Sequence, residues 1–194
     1  PNHTAKDVRI EELIAKHWSG IGGSYKKMSK QMEGKTDGVD NDKLRGKIII
    51  FALNIATVEH VHAYLKKTKY ADQVVRYLKS DAGSNDVLLD FKDPENESAS
   101  IVVAAETSVI YGQNMQSADM MIKLTIPWTT GDYDQAVARI FRNGQKLNCK
   151  VYNICANGTF EITKLAKFLI RENSNRKLIS EYSNEFNMNH ALGS

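Results

Sequence analysis

The sequence is poor in several features that usually give a function away. Only two cysteines occur in its 194 residues, Cys149 and Cys155. They form no Cys-x-x-Cys pair and have no histidine cluster beside them, which argues against metal ligands or a disulfide. Both fall in or beside a predicted strand and read as core residues. His60 and His62 lie two apart on a predicted helix, on different faces, so they share no metal. No apolar run approaches the roughly 18 residues of a membrane-spanning helix. Lys6, Asp7, Arg9, Glu11 and Glu12 interrupt any apolar stretch near the N-terminus, against a signal peptide. An intracellular protein without membrane association is therefore expected. Gly34-Lys35-Thr36 imitates the end of a phosphate-binding loop, but position 29 is serine where the pattern needs glycine, and no buried strand precedes it. No internal repeat is present.

Charge of one sign is also scarce, at a formal net +3. The excess is local. Residues 1–47 hold ten basic and seven acidic side chains, and the remainder holds sixteen of each. A solvated face is the preferred reading, ahead of a weak phosphate-attracting surface.

What the sequence does have is alternation. Residues 1–46 read as a short helix, with Ile10, Leu13 and Ile14 at helical spacing, followed by a glycine- and lysine-rich connection. From Lys47 apolar runs alternate with amphipathic stretches. Ile48–Leu53, Val74–Leu78, Ile101–Ala105, Met120–Leu124 and Lys150–Ile154 read as buried strands. Asn54 caps a predicted helix to about Lys67, Ser84 a short one, and Asp132 one to about Phe141 with Gln135 as its box partner. Two further helices are expected, at about 159–171 and 175–186. This order predicts an α/β fold: a doubly wound parallel sheet of about six strands with helices on both faces. The expected organisation is an N-terminal segment over 1–46, the α/β unit over 47–172 and a C-terminal helix and tail over 173–194.

The stretch from Asp134 to Gln145 carries the chemistry. On a helix at about 100° per residue, Gln135, Arg139 and Arg142 share one edge, opposite Ala136, Val137, Ile140 and Phe141. Two guanidiniums so close repel each other unless an anion lies between them. A polyphosphate meets that need through bidentate hydrogen bonds. A solvated arginine face making ordinary ion pairs is the competing reading.

The spacing Gln135-x-x-x-Arg139-x-x-Arg142-x-Gly144-Gln145 resembles motif VI of superfamily 2 helicases, and its trailing Gly144-Gln145 resembles the Swi/Snf-type DNA translocases among them. The likeness continues upstream in order. Lys47 to Asn54 looks like motif IV, Tyr77 to Asp81 like a strand-and-turn, and Asp86 to Pro94 like the following connector. Ala104 to Met115 lies where motif V belongs, ending in Gly112-Gln113-Asn114-Met115. Ile126-Pro127-Trp128, Val151 to Ile154 and Gly158 to Glu161 complete a resemblance that covers residues 45–172. Motif V departs from the family's Ser-Thr-x-Ala-Gly-Gly run. Here it reads Ala105-Glu106-Thr107-Ser108-Val109-Ile110, without the glycines and with Glu106 placing negative charge where the resemblance implies a nucleic-acid backbone passes. This departure suggests a divergent member, of viral or phage origin.

The resemblance implies a RecA-like second lobe that works with an N-terminal lobe. ATP with Mg2+ would lie between the two lobes, the metal held mainly by the other one. Arg139 and Arg142 are the implied catalytic arginines, and Gln135, Gln145 and Gly112 the implied ATP-binding residues. Asn54, Thr107, Ser108 and Trp128 are the implied nucleic-acid contacts, with double-stranded DNA the expected track and RNA an alternative. Read from the residues alone, packing against a neighbouring helix is the preferred role for Trp128. The strand carboxyl ends are expected to face the other lobe, and the isolated lobe is expected to be inactive. A binding module that keeps the fold without turnover is the rival reading, and an unrelated phosphate-binding enzyme is another.

Overall fold

The computed structural model describes residues 4–31, 46–93, 96–107, 113–142, 145 and 148–191, with side chains except for 20–31, 176 and 178–191. Helix α1 (Ala5–Gln31) leads to strand β1 (Lys47–Ala52), helix α2 (Ile55–Leu65), β2 (Val74–Tyr77) and α3 (Ser84–Lys92). A 3-10 turn (Glu97–Ala99), β3 (Ile101–Ala105), β4 (Ala118–Lys123), α4 (Thr130–Val137), β5 (Lys150–Asn153) and α5 (Phe160–Ala191) follow. The five strands form one sheet in the order β2-β3-β1-β4-β5, every neighbouring pair parallel. The sheet has five strands among the described residues where about six were expected.

The central strands are buried on both faces, so alternate residues feed two cores. Ile48, Ile50, Ala52, Ile101, Val103, Met120 and Ile122 pack under α1 and α2 with Ile10, Leu13, Ile14, Val58, Val61 and Leu65. Ile49, Phe51, Val102, Ala104 and Met121 face the other way, against Leu88, Phe91, Ala136 and Ile140 of α3, α4 and the turn after α4. Edge strand β5 is only partly covered.

Several element boundaries differ from the sequence expectation. The N-terminal helix does not stop near Gly20 but runs to Gln31, and its buried face belongs to the main core rather than to a separate segment. The C-terminal helix is continuous through the polar run at 172–175. There Ser174 Oγ donates to Ile170 O at 2.9 Å, the back-bond that lets serine sit inside a helix. Asn54 caps α2 as expected, its Oδ1 accepting from Thr57 N at 2.9 Å. Ahead of α3 the cap is Gly83, at φ 74, rather than Ser84. Such a left-handed position suits glycine because any Cβ there is strained.

Helix α1 crosses the sheet from end to end. Lys6 donates to Leu124 O (2.9 Å), just past the carboxyl end of β4. His17 Nε2 meets Asp119 Oδ1 (2.9 Å) at the amino end of the same strand. Eleven helical steps and five strand steps each span about 17 Å, so the helix matches the strand in length. Trp18 Nε1 donates to Gly46 O (2.9 Å) beside that contact.

Gly46 must be glycine here, since a Cβ would lie 2.2 Å from both Asp119 carboxylate oxygens. Gly46→Ala is expected to destabilise the fold by about 1–3 kcal/mol, read as a lower urea midpoint. An unchanged midpoint would show that Asp119 can move aside freely.

Candidate functional site

The residues singled out from the sequence separate onto the two opposite ends of the sheet. Helix α4 begins after the carboxyl end of β4 and runs back to its amino end. Its cap is Thr129, whose Oγ1 accepts from Asp132 N (3.1 Å) while donating to Asp132 Oδ2 (2.6 Å). The α-helix closes at Val137, short of the expected Phe141. Arg139 N then bonds Ala136 O, and Ile140 N bonds Val137 O, both at 3.1 Å, in i to i+3 fashion. Arg139 therefore lies on a tightened turn, and Arg142 beyond it, not on the face of a continuing helix. Phe141, expected in the core, is 71% exposed.

This turn is tied to the amino edge of the sheet. Met115 N donates to Arg139 O (3.1 Å), and Ala118 N, opening β4, donates to Met115 O (2.9 Å). The arginines thus sit at the amino ends of the strands, away from the carboxyl ends where they were expected. The reason is mechanical: a helix that returns across a parallel sheet delivers its last turn to the opposite edge.

At this edge Arg142 is exposed and Arg139 is half-buried, while Gln135 is exposed within α4. Arg139 Nε is fully buried and meets no hydrogen-bond partner among the described residues. Gln145 points inward instead. Its Nε2 donates to Gln116 O (2.9 Å), Ala118 O (3.0 Å) and Ile140 O (3.2 Å), so it clamps the turn to the start of β4 rather than offering its amide to a ligand. Gly112 lies outside the described residues. Nearby, Lys47 opens β1 with its ammonium donating to the carbonyls of Asp90 and Asn96 (3.1 Å each) and of Asp93. Those acceptors gather at the end of α3, where a cation answers the helix carbonyls. Burial pushes the Lys47 ammonium down to about 8, against Asp93 and Asp90.

The carboxyl edge holds the other set. Asn54 is exposed, but its side-chain oxygen is engaged by Thr57 N and Thr57 Oγ1. Thr107 is exposed just past β3, and Ser108 lies outside the described residues. Trp128 is 60% exposed and packs toward α5. Its ring centroid is 6.0 Å from that of Phe160, the Lys164 ammonium lies 4.2 Å above it, and Arg171 donates to its carbonyl at 2.9 Å. The helix contact weighed from the sequence is thus present, with one ring face under a cation.

Glu106 is not an exposed charge. It is buried and ion-paired with Lys123, whose side chain is fully inaccessible. Burial pushes the Lys123 ammonium down while Glu106 pulls it back up. The sequence reading missed this pair, although a lone lysine inside the apolar run Met120–Leu124 signalled it.

Beside Asn54 a cavity of about 640 Å3 opens between α1, α2 and the ends of β4 and β5. Asp7 accepts there from Thr4 N (2.8 Å) and His60 Nε2 (2.9 Å). Glu161 accepts from Ala156 N (2.7 Å) and Lys6 Nζ (2.6 Å).

Burial would raise both carboxyls, but these donors outweigh it and hold them below their ordinary values of 3.8 and 4.5. The unfolded chain therefore binds more protons in mildly acidic solution. The stability they contribute is complete above about pH 4.5 and is lost as pH falls through their folded values. Asp7→Asn with Glu161→Gln is expected to flatten the acid limb of a stability-against-pH curve. An unaltered limb would contradict the assignment.

A five-stranded parallel sheet in this order, covered by helices on both faces, is a RecA-like lobe. The family profile "Helicase conserved C-terminal domain" matches residues 27–144, and the chain belongs to that family. It is 24% identical over 180 residues to a "DNA repair and recombination protein RAD54-like" of Drosophila erecta, covering 92% of this chain and 20% of that protein. It is 26% identical to an "Uncharacterized ATP-dependent helicase" of Mycoplasma pneumoniae, covering 76% and 14%. With "Helicase ARIP4" of Mus musculus the figures are 23%, 78% and 11%. Among solved structures, "Crystal structure of the C-terminal part of Fun30 ATPase domain" superposes at a TM-score of 0.54 with 20% identity, over 62% of this chain and 38% of that one, a likeness of fold. The chain spans a fifth or less of the curated relatives it matches. Fly, bacterial and mouse relatives give no support to the expected viral or phage origin. No helix among the described residues is long and apolar enough to cross a membrane.

Gln145→Leu removes the part-buried amide nitrogen whose two hydrogens are shared among three carbonyls and is expected to cost about 1–3 kcal/mol. Urea denaturation reads this; a change below about 0.5 kcal/mol would mean the clamp is incidental.

Proposed function

We propose that this chain is the second lobe of an ATP-dependent DNA translocase or helicase, with nucleotide served at the amino edge of its sheet and nucleic acid at the carboxyl edge. The observation that carries the reading is the Arg139 Nε–H, buried at the amino edge with no partner among the described residues. A buried donor left unmatched is costly and calls for an explanation, and a phosphate oxygen that completes it is the one we adopt. Arg142, exposed three residues on, supplies a second guanidinium. Gln135 is exposed on the helix that precedes this turn, while Gln145 holds the turn in place.

ATP bound with Mg2+ between two lobes supplies the phosphoanhydride that is broken. Arg142 and Arg139 donate to its phosphate oxygens and neutralise the charge that grows as the terminal phosphoryl departs. In related chemistry such arginines are worth about 10³–10⁵ in rate. The fit extends to the phosphates and not to the metal, since the described residues include no group of three His, Cys, Asp or Glu that could hold one. The metal ligands then come from the N-terminal lobe. At the other edge Thr107 offers a hydroxyl to a backbone phosphate, and Trp128 with Lys164 and Arg171 forms an aromatic and cationic surface for DNA, or for RNA. The DNA-repair and helicase names of the relatives support this reading.

The test is DNA-stimulated ATP hydrolysis by the full-length protein carrying this lobe. Arg142→Ala is expected to lower kcat by about 10³ or more while leaving DNA affinity nearly unchanged. Normal hydrolysis with lost DNA binding would reverse the assignment of the two edges. Normal hydrolysis and normal binding together would favour a binding module that keeps the fold without the motor.

A further inference from the structure

Lys123 is the last residue of β4, and its ammonium sits where five elements converge. It pairs with Glu106, immediately past β3 and next to Thr107. It lies 5.8 Å from the ring centroid of Phe51 on β1 and 5.3 Å from that of Tyr133 on α4. Tyr133 in turn takes a hydrogen bond on its hydroxyl from Asn153 Nδ2 of β5 (3.0 Å), and its ring lies 5.1 Å from Phe168 of α5. A buried ion pair is a poor way to stabilise a core, because desolvating the two charges offsets their attraction. It is a good way to fix one geometry, and it feels other charges nearby in a low-dielectric setting.

Resting on the function proposed above, we propose that the Glu106–Lys123 pair is a positioning device that reports nucleic acid at the carboxyl edge to the helix whose far end bears the arginines. A backbone phosphate arriving at Thr107 lies one residue from Glu106. It repels the Glu106 carboxylate and attracts the Lys123 ammonium. Any shift of Lys123 loads the Tyr133 ring beside it, and Tyr133 lies in the first turns of α4. The helix carries that displacement across the sheet to the turn of Arg139, which is held to the start of β4 by Met115 and Gln145. Glu106 stands where the family resemblance places a hydroxyl residue, so in this chain the carboxylate and its lysine take over a role at that position.

The experiment uses the full-length protein, a linear DNA duplex as probe, and the paired substitution Glu106→Met with Lys123→Met. Replacing both members with neutral groups of similar size leaves no buried lone charge, so the fold is expected to melt at or above the wild-type temperature. Hydrolysis without DNA is expected to stay within about twofold, while the rise caused by DNA falls about tenfold or more, a coupling loss of ordinary size. Tyr133→Leu, which leaves the ion pair intact, is expected to reduce the DNA-dependent rise in the same way. A merely structural pair would change melting and both rates together. A wild-type protein stimulated by DNA, with both variants stimulated equally, overturns this inference alone. A wild-type protein with no DNA-stimulated hydrolysis overturns the motor reading and this inference with it.

Discussion

All five strands run the same way, and most of the architecture follows from that constraint. Parallel neighbours cannot be joined by tight turns, so each connection must return across a face of the sheet. Helix α4 leaves the carboxyl edge and finishes at the amino edge; α1 spans the same distance between Leu124 and Asp119. The crossovers cover both faces, which leaves β1, β3 and β4 fully buried and lets their side chains be apolar on both sides. They also give the lobe two chemically distinct ends separated by about 17 Å.

Charges placed inside this apolar frame do the fine positioning. Lys47 gathers the carbonyls at the end of α3, His17 and Asp119 fasten α1 to β4, and Glu106 and Lys123 knit the carboxyl ends of β3 and β4. None of these is an economical source of stability, since each requires charged or polar groups to leave water. What each contributes is direction: a hydrogen bond or ion pair selects one register and one helix angle where apolar contacts accept several.

Much of the fold was legible because it depends on periodicity. The runs at Ile48, Ile101 and Met120 read as buried strands and are buried strands, and Asn54 caps the helix it precedes. The extent of α1 was hidden by Gly20, Gly22 and Gly23, whose low helix propensity suggested a loop. The long α5 was split in the reading at Asn173-Ser174-Asn175, because the sequence does not show that Ser174 bonds back within the helix and Asn175 reaches Thr130. In the candidate site, Arg139 and Arg142 could be picked out by spacing, but their edge of the sheet could not, since the helix that carries them ends four residues early at Val137. Gln145 was implied as an ATP-binding residue by the resemblance alone; only the fold shows three carbonyls within its reach. Glu106 looked like a charge exposed to the nucleic-acid path because its partner is seventeen positions away.

The fold is a RecA-like lobe with Arg139 and Arg142 at one edge of the sheet and Asn54 and Thr107 at the other. The most direct measurement is site-specific photocrosslinking in the full-length protein. A photoreactive residue is placed either at Phe141, exposed beside Arg142, or at Leu53, exposed beside Asn54. The account predicts that Phe141 captures nucleotide and Leu53 captures DNA. Capture of both ligands from a single edge, or the reverse pairing, would contradict it.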